Sequence, residues 1–131
     1  RHVPTLVVHG TADPIVPLGP NGTSIIVDDA TPESVRDLLS SSIEQEVDTS
    51  ADDAGCDEPP TRHELADDVI EVTYQGCDLG ADHQLILVDG GGHTWPGAAP
   101  TADADFLGPT TTSFDATATA WAFFVSHSNR D

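Results

Sequence analysis

The sequence predicts an α/β fold, a mostly parallel sheet flanked by helices, of which this chain forms the trailing portion. Three observations carry that expectation. Apolar, β-branched runs at Val3–His9, Val69–Tyr74 and Gln84–Val88 read as strands, and stretches after Thr31 and Ser113 carry apolar residues at helical spacing. The order strand, helix, strand, strand, helix suits one half of a layered sheet better than a self-contained small fold. The apolar fraction of 37% is low for 131 residues that must bury a sheet of their own, and a strand pattern begins almost at Arg1. The chain is therefore expected to be the C-terminal part of a larger domain.

Each element has its own reason. Val3–His9 is short, nearly continuous and rich in Val, as a strand buried on both faces must be. The turn-rich stretch from Gly10 to Gly22 follows. Thr31 then offers a capping oxygen, Pro32 suits a first helical residue, and Val35, Leu38, Leu39 and Ile43 share one face of a short amphipathic helix. Residues 44–68 are acidic and polar, with Pro59 and Pro60 near the middle, and read as a loop or insertion within the domain. Val69–Tyr74 ends at Gly76 and Cys77, and Gln84–Val88 is stopped by the glycines at 90–92. Ala98–Thr112, made of Ala, Pro, Thr and Asp, should wrap the surface near His93. Phe114, Ala118, Trp121 and Val125 then recur at helical spacing, with Ser113 as the expected cap and Asp115 at the positive helix end.

The charge balance is extreme. Twenty-three acids face four Arg and no Lys, a net charge of −19. Nucleic acid and anionic membrane surfaces would be repelled, so neither is expected as a partner. No stretch approaches the roughly 18 apolar residues of a membrane span. Sixteen of the acids lie between Asp28 and Asp78, opposed only by Arg36 and Arg62. That segment is either an ordinary solvated face or an adaptation to high salt, where cations screen the self-repulsion of a lysine-free acidic surface. The run Ser50–Glu58 lacks the residue order of a calcium-binding EF-hand loop, and no metal site is assigned.

Cys56 and Cys77 are the only cysteines. In an exported protein they would form a structural bridge, closing a loop whose constraint contributes about 3 kcal/mol. In a reducing compartment they would be two buried thiols. Their spacing is not the C-x-x-C of a redox or zinc site.

Two residues carry chemistry. Asp13 lies just past the first buried strand, within His9-Gly-Thr-Ala-Asp-Pro-Ile-Val-Pro17. A carboxylate there projects into the crevice at the carboxyl edge of an open α/β sheet, where ligands bind; taken alone, it could equally hold the turn before Pro14. His93 occupies the matching place after the last strand, in Gly90-Gly-Gly-His-Thr-Trp-Pro-Gly97, and three glycines let the backbone turn sharply enough to aim an imidazole over the sheet edge. The pair reproduces the tail of the chain order Ser, Asp, His of α/β-hydrolases. In that arrangement the carboxylate fixes the imidazole tautomer while the imidazole takes the serine proton and returns it to the leaving group. The sequence contains no G-x-S-x-G, so the nucleophile is expected from upstream.

These motifs, with Cys56, Cys77 and the closing Phe114-Asp-Ala-Thr and Trp121-Ala-Phe-Phe strings, resemble the C-terminal half of the esterase family of polyhydroxybutyrate depolymerases and feruloyl esterases. The likeness spans nearly the whole chain, and Gly-Gly-Gly-His-Thr-Trp-Pro-Gly is its most specific part. The resemblance implies an α/β-hydrolase fold and a secreted, cofactor-independent serine esterase acting on a small or polymeric ester. It also implies that Asp13 and His93 are triad acid and base, and that Cys56 pairs with Cys77. A peptidase or acyltransferase with the same triad, or a non-catalytic acidic ion-binding module, are the alternatives.

Weaker expectations attach to other residues. Trp95 either lines the substrate mouth or locks its loop by packing. His9 should pack or hydrogen-bond beneath the acid loop. His2, His63, His83 and His127 lack paired ligand spacing and are expected at the surface. Asn21-Gly-Thr23 matches a glycosylation sequon, a pattern frequent by chance.

Overall fold

The computed structural model describes residues 2–16, 32–100 and 103–128, with backbone alone for 32–42 and 104. The sequon at Asn21, the cap at Thr31 and the end of the turn-rich stretch lie outside the described residues, as do the side chains of Val35, Leu38 and Leu39. The elements run β1 (Thr5–Gly10), α1 (Pro32–Asp53), β2 (Thr61–Ala66), β3 (Val69–Tyr74), β4 (His83–Val88), α2 (Ala104–Leu107) and α3 (Ala116–Ser126). No described helix is long and apolar enough to cross a membrane.

The four strands form one sheet in the order β1-β4-β3-β2. β1 runs parallel to β4, in register from Thr5 opposite His83 to Gly10 opposite Val88. β3 is antiparallel to β4 and β2 is antiparallel to β3. The class is thus α/β with a mixed sheet, which corrects the expectation of a mostly parallel one. The physical reason lies in the connections. A parallel pair needs a crossover of a dozen or more residues, which the chain between β1 and β4 provides, whereas Gln75–Asp82 and the two-residue turn Asp67–Asp68 are too short for anything but antiparallel pairing.

Strand alternation divides the core into two layers. Val72, Tyr74, Leu85 and Leu87 face Ile43, Val47 and Ala51 of α1, while Val69, Ile86 and Val88 face Phe114 and Ala116 at the start of α3. Ile43, Val47 and Ala51 recur every four residues and keep the buried stripe of α1 on the sheet. The acids between them are mostly exposed. Residues 44–53, expected in a loop or insertion, therefore extend α1, and residues 61–66 form β2. That strand is polar and exposed, as a sheet edge facing water should be. Arg62 pairs with Glu44 at 3.0 Å and ties this edge back to α1.

The closing helix also differs from its expected form. Asp115, not Ser113, is the cap, its Oδ1 accepting from the Ala118 N–H at 2.9 Å. Ser113 instead donates to Asp68, and Thr111 donates to the same carboxylate at 2.5 Å, pinning the β2–β3 turn to the approach of α3. Because the helix begins at Ala116, Phe114 is buried ahead of it rather than on its spiral. Ala116 and Phe123 define the buried side, and Trp121, Phe124 and Val125 are exposed.

Candidate active site

The parallel pairing of β1 and β4 sets both of their carboxyl ends at one rim of the sheet, and the two chemistry-bearing loops leave from there. Thr11 stitches them together: its N–H donates to the Val88 carbonyl at 2.9 Å, its Oγ1 donates to Asp89, and the same Oγ1 accepts from the Gly90 N–H at 2.9 Å. The Ala12 N–H donates to the Gly91 carbonyl at 2.9 Å. Gly10 allows this approach. A Cβ at Gly10 would strike the backbone carbonyls of Gly91 and Gly92. Gly92 in turn lies against Leu107 and Gly108, so the glycine loop is clamped between the end of β1 and the turn after α2. The Ala98–Thr112 stretch does run beside His93, as expected: Leu107 accepts from the His93 N–H at 2.6 Å, and Pro109 accepts from the Gly92 N–H and the Thr94 hydroxyl.

Within that frame Asp13 is buried, only 6% exposed. Its Oδ1 accepts from the backbone N–H groups of Ile15 and Val16 at 2.8 and 2.9 Å, and its Oδ2 meets Nδ1 of His93 at 2.8 Å. Burial by itself would raise the Asp13 pKa. The Val16 N–H, the His93 imidazole and the Ile15 N–H outweigh it, and the carboxyl is held below its ordinary value. An ionised Oδ2 can only accept, so Nδ1 of His93 carries a proton, and the neutral tautomer this contact selects has its lone pair on Nε2. Among the described residues Nε2 of His93 makes no hydrogen bond, and the side chain is 45% exposed. The pair thus presents an oriented imidazole whose outer nitrogen is unpaired among the described residues.

A pocket of about 370 Å³ opens over this pair, lined by Asp13, His93, Trp95, Val8 and Val16 among others. Trp95 stands between the pocket and α3. It borders the pocket with its ring 54% exposed, and its Nε1–H donates to Thr117 Oγ1 at 2.8 Å, fixing the ring to the first turn of α3. His9 also lines the pocket. Burial lowers its pKa, the Asp13 carboxylate pulls it up and His93 pushes it further down, leaving it below the ordinary histidine value. Its Nε2 is buried and has no hydrogen-bonding partner among the described residues, so His9 packs beneath the acid loop but does not bond there through that atom.

Thr11 is the site residue that sequence reading passed over. It stands inside the His9-Gly-Thr-Ala-Asp string, and a hydroxyl one residue past a strand end could have been recognised as a tie between neighbouring loops. The remaining histidines divide. His2 and His63 are exposed as expected and His127 is partly buried, but His83 is 3% exposed and belongs to the core. A disulfide joins Cys56 to Cys77. Neither a family model, nor a curated protein, nor a solved structure matches this chain, so the reading of the site rests on its residues and their geometry.

Proposed function

We propose that the chain is the C-terminal part of an α/β-hydrolase and contributes the acid and base of a serine-dependent carboxylic ester hydrolase, of the type that cleaves polyhydroxybutyrate or feruloyl esters. One observation carries this reading: the 2.8 Å contact between buried Asp13 Oδ2 and His93 Nδ1, on a histidine that lines a pocket. A serine hydroxyl delivered to Nε2 would lose its proton there while its oxygen attacks the ester carbonyl. The imidazolium, stabilised by Asp13, would then return that proton to the leaving alcohol, and water would repeat the cycle on the acyl-enzyme. No cofactor enters these steps.

The serine and the oxyanion-binding N–H groups are assigned to another segment of polypeptide. Two features support this. β1 is Val-rich yet only half-buried, and it has a neighbour on one side alone among the described residues. Trp121, Phe124 and Val125 expose apolar surface on α3, which packs over the same strand. An open parallel edge beside exposed aromatic groups is what a sheet shows where further strands and a helix belong. The disulfide agrees with secretion, as the family resemblance implies.

The test is the complete protein, assayed on p-nitrophenyl and feruloyl esters. His93→Gln and Asp13→Asn should each lower kcat by about 10⁴ without unfolding the chain. The 131 residues alone should release no product. Wild-type turnover by a His93→Gln variant would end the proposal. Saturable calcium binding by a protein with no esterase activity would favour the ion-binding alternative.

A further inference from the structure

At the other end of β4, roughly 17 Å from the dyad rim at a strand rise of about 3.3 Å per residue, a second cluster of reactive side chains lies on the α1 face of the sheet, with His83 buried and Cys56 partly so. The Sγ atoms of Cys56 and Cys77 and one ring nitrogen of His83 all lie within 4.8 Å of one another. The two sulfurs are joined, and in that state neither offers a thiolate to a metal. His83, however, is already arranged as a ligand. Its Nδ1 sits 2.8 Å from the Ala81 carbonyl, which can only accept, so Nδ1 carries the proton. In the neutral tautomer that this contact selects, Nε2 holds the lone pair, and it meets the Ser50 hydroxyl at 2.9 Å. A backbone carbonyl that holds Nδ1–H is the arrangement found behind metal-ligating histidines, and here the Ser50 hydroxyl occupies the opposite nitrogen.

We propose that Cys56, Cys77 and His83 form a zinc site when the disulfide is reduced. Two electrons and two protons from an external dithiol convert the bridge to two thiols, and the dithiol leaves as its own disulfide. Zinc then displaces both thiol protons to solvent. Two thiolates and one neutral imidazole balance the ion's charge, and a water completes four-coordination. The sulfurs must separate to about 3.8 Å to bind one ion at the usual zinc–sulfur distance of about 2.3 Å. The backbone is built to allow that. Each cysteine directly follows a glycine with positive φ, Gly55 at 71° and Gly76 at 73°, and each lies in a connection outside helix and strand. The Ser50 hydroxyl, displaced from Nε2, is left beside the new sulfur ligands. The net charge of −19 concentrates divalent cations near the surface. The same three residues thus hold the end of α1, the end of β3 and the start of β4 together before the bridge is oxidised as well as after.

The experiment titrates Co²⁺, then Zn²⁺, into the full chain reduced with a phosphine and into the oxidised chain. One equivalent of cobalt should give sulfur-to-metal charge-transfer absorption and tetrahedral visible bands in the reduced chain only, and zinc should displace it. Zinc should also raise the Tm of the reduced chain and leave the oxidised chain unchanged. His83→Gln should weaken zinc binding at least about tenfold. Should that variant fail to fold, the wild-type imidazole is followed by nitrogen NMR, where zinc must shift Nε2 of His83. Absence of charge-transfer absorption in the reduced chain, or a His83 resonance that ignores zinc, overturns the site. None of these readouts uses esterase activity, and the outcome is independent of the function proposed for Asp13 and His93.

Discussion

Asp13 accepts from two backbone N–H groups and one imidazole, and that full set of donors decides its chemistry. An amide in its place could accept from the backbone or from His93 but would present its NH₂ to one of them, so Asp13→Asn should flip the imidazole tautomer and abolish turnover while the fold survives. The same contacts set a pH dependence. A carboxyl held below its usual 3.8 contributes stability that is complete above 3.8 and is lost as pH falls through the lower folded value. His9, held below 6.5, acts in the same direction: between its folded value and 6.5 the unfolded chain binds the extra proton, so stability again falls on acidification. In molar salt, where repulsion among the acids is screened, Tm should be flat above pH 6.5 and decline below it. A Tm that climbs from pH 7 to pH 5 under those conditions would contradict the His9 assignment, and one that holds level as pH falls below 3.8 would contradict that of Asp13.

At the scale of elements, the rim depends on how closely the glycine loop approaches the end of β1. Gly10→Ala places a methyl group against two backbone carbonyls that cannot rotate away. It should cost about 1–3 kcal/mol and displace His93 from Asp13, seen as loss of the low-field Nδ1 proton in NMR. Gly90→Ala is the control. Its φ of 68° strains any larger residue, but nothing lies within 4 Å of the added carbon, so the cost should stay near 1 kcal/mol with the His93 contact intact. The Cys56–Cys77 bridge joins the end of α1 to the end of β3. Replacing both cysteines with Ser should lower stability by about 3 kcal/mol in denaturant titration.

For the whole molecule, charge dominates. With 23 acids, four Arg and no Lys, internal pairing is scarce, and much of the acidic surface lies on the outer side of α1 and on the loops. Self-repulsion at low ionic strength opposes the compact state, and about 0.1 M salt already shortens its range to roughly 10 Å. The protein should lose its fold in dilute buffer and regain it in molar salt, followed by circular dichroism. Equal melting temperatures in both would leave an acidic surface without the salt adaptation.

The strands at Val69–Tyr74 and Gln84–Val88, the closing helix and the placement of Asp13 and His93 just beyond strand ends were all legible in the residues, because each depends on local pattern: β-branched runs, helical spacing, and turn chemistry next to a run of glycines. What depended on long-range pairing was not. Whether β4 runs with or against its neighbours follows from the lengths of the connections and from which strand lies beside it. Residues 44–53 look like acidic loop until the sheet beneath them gives Ile43, Val47 and Ala51 something to cover. His83 looks like surface until Ala81 and Ser50 close around it. The sequence alone thus determined which side chains stand just beyond the strand ends, since that is a property of local pattern along the chain. Only the tertiary structure decided that Asp13 and His93, eighty residues apart, share a hydrogen bond, because that contact exists only once β1 and β4 lie side by side and in parallel.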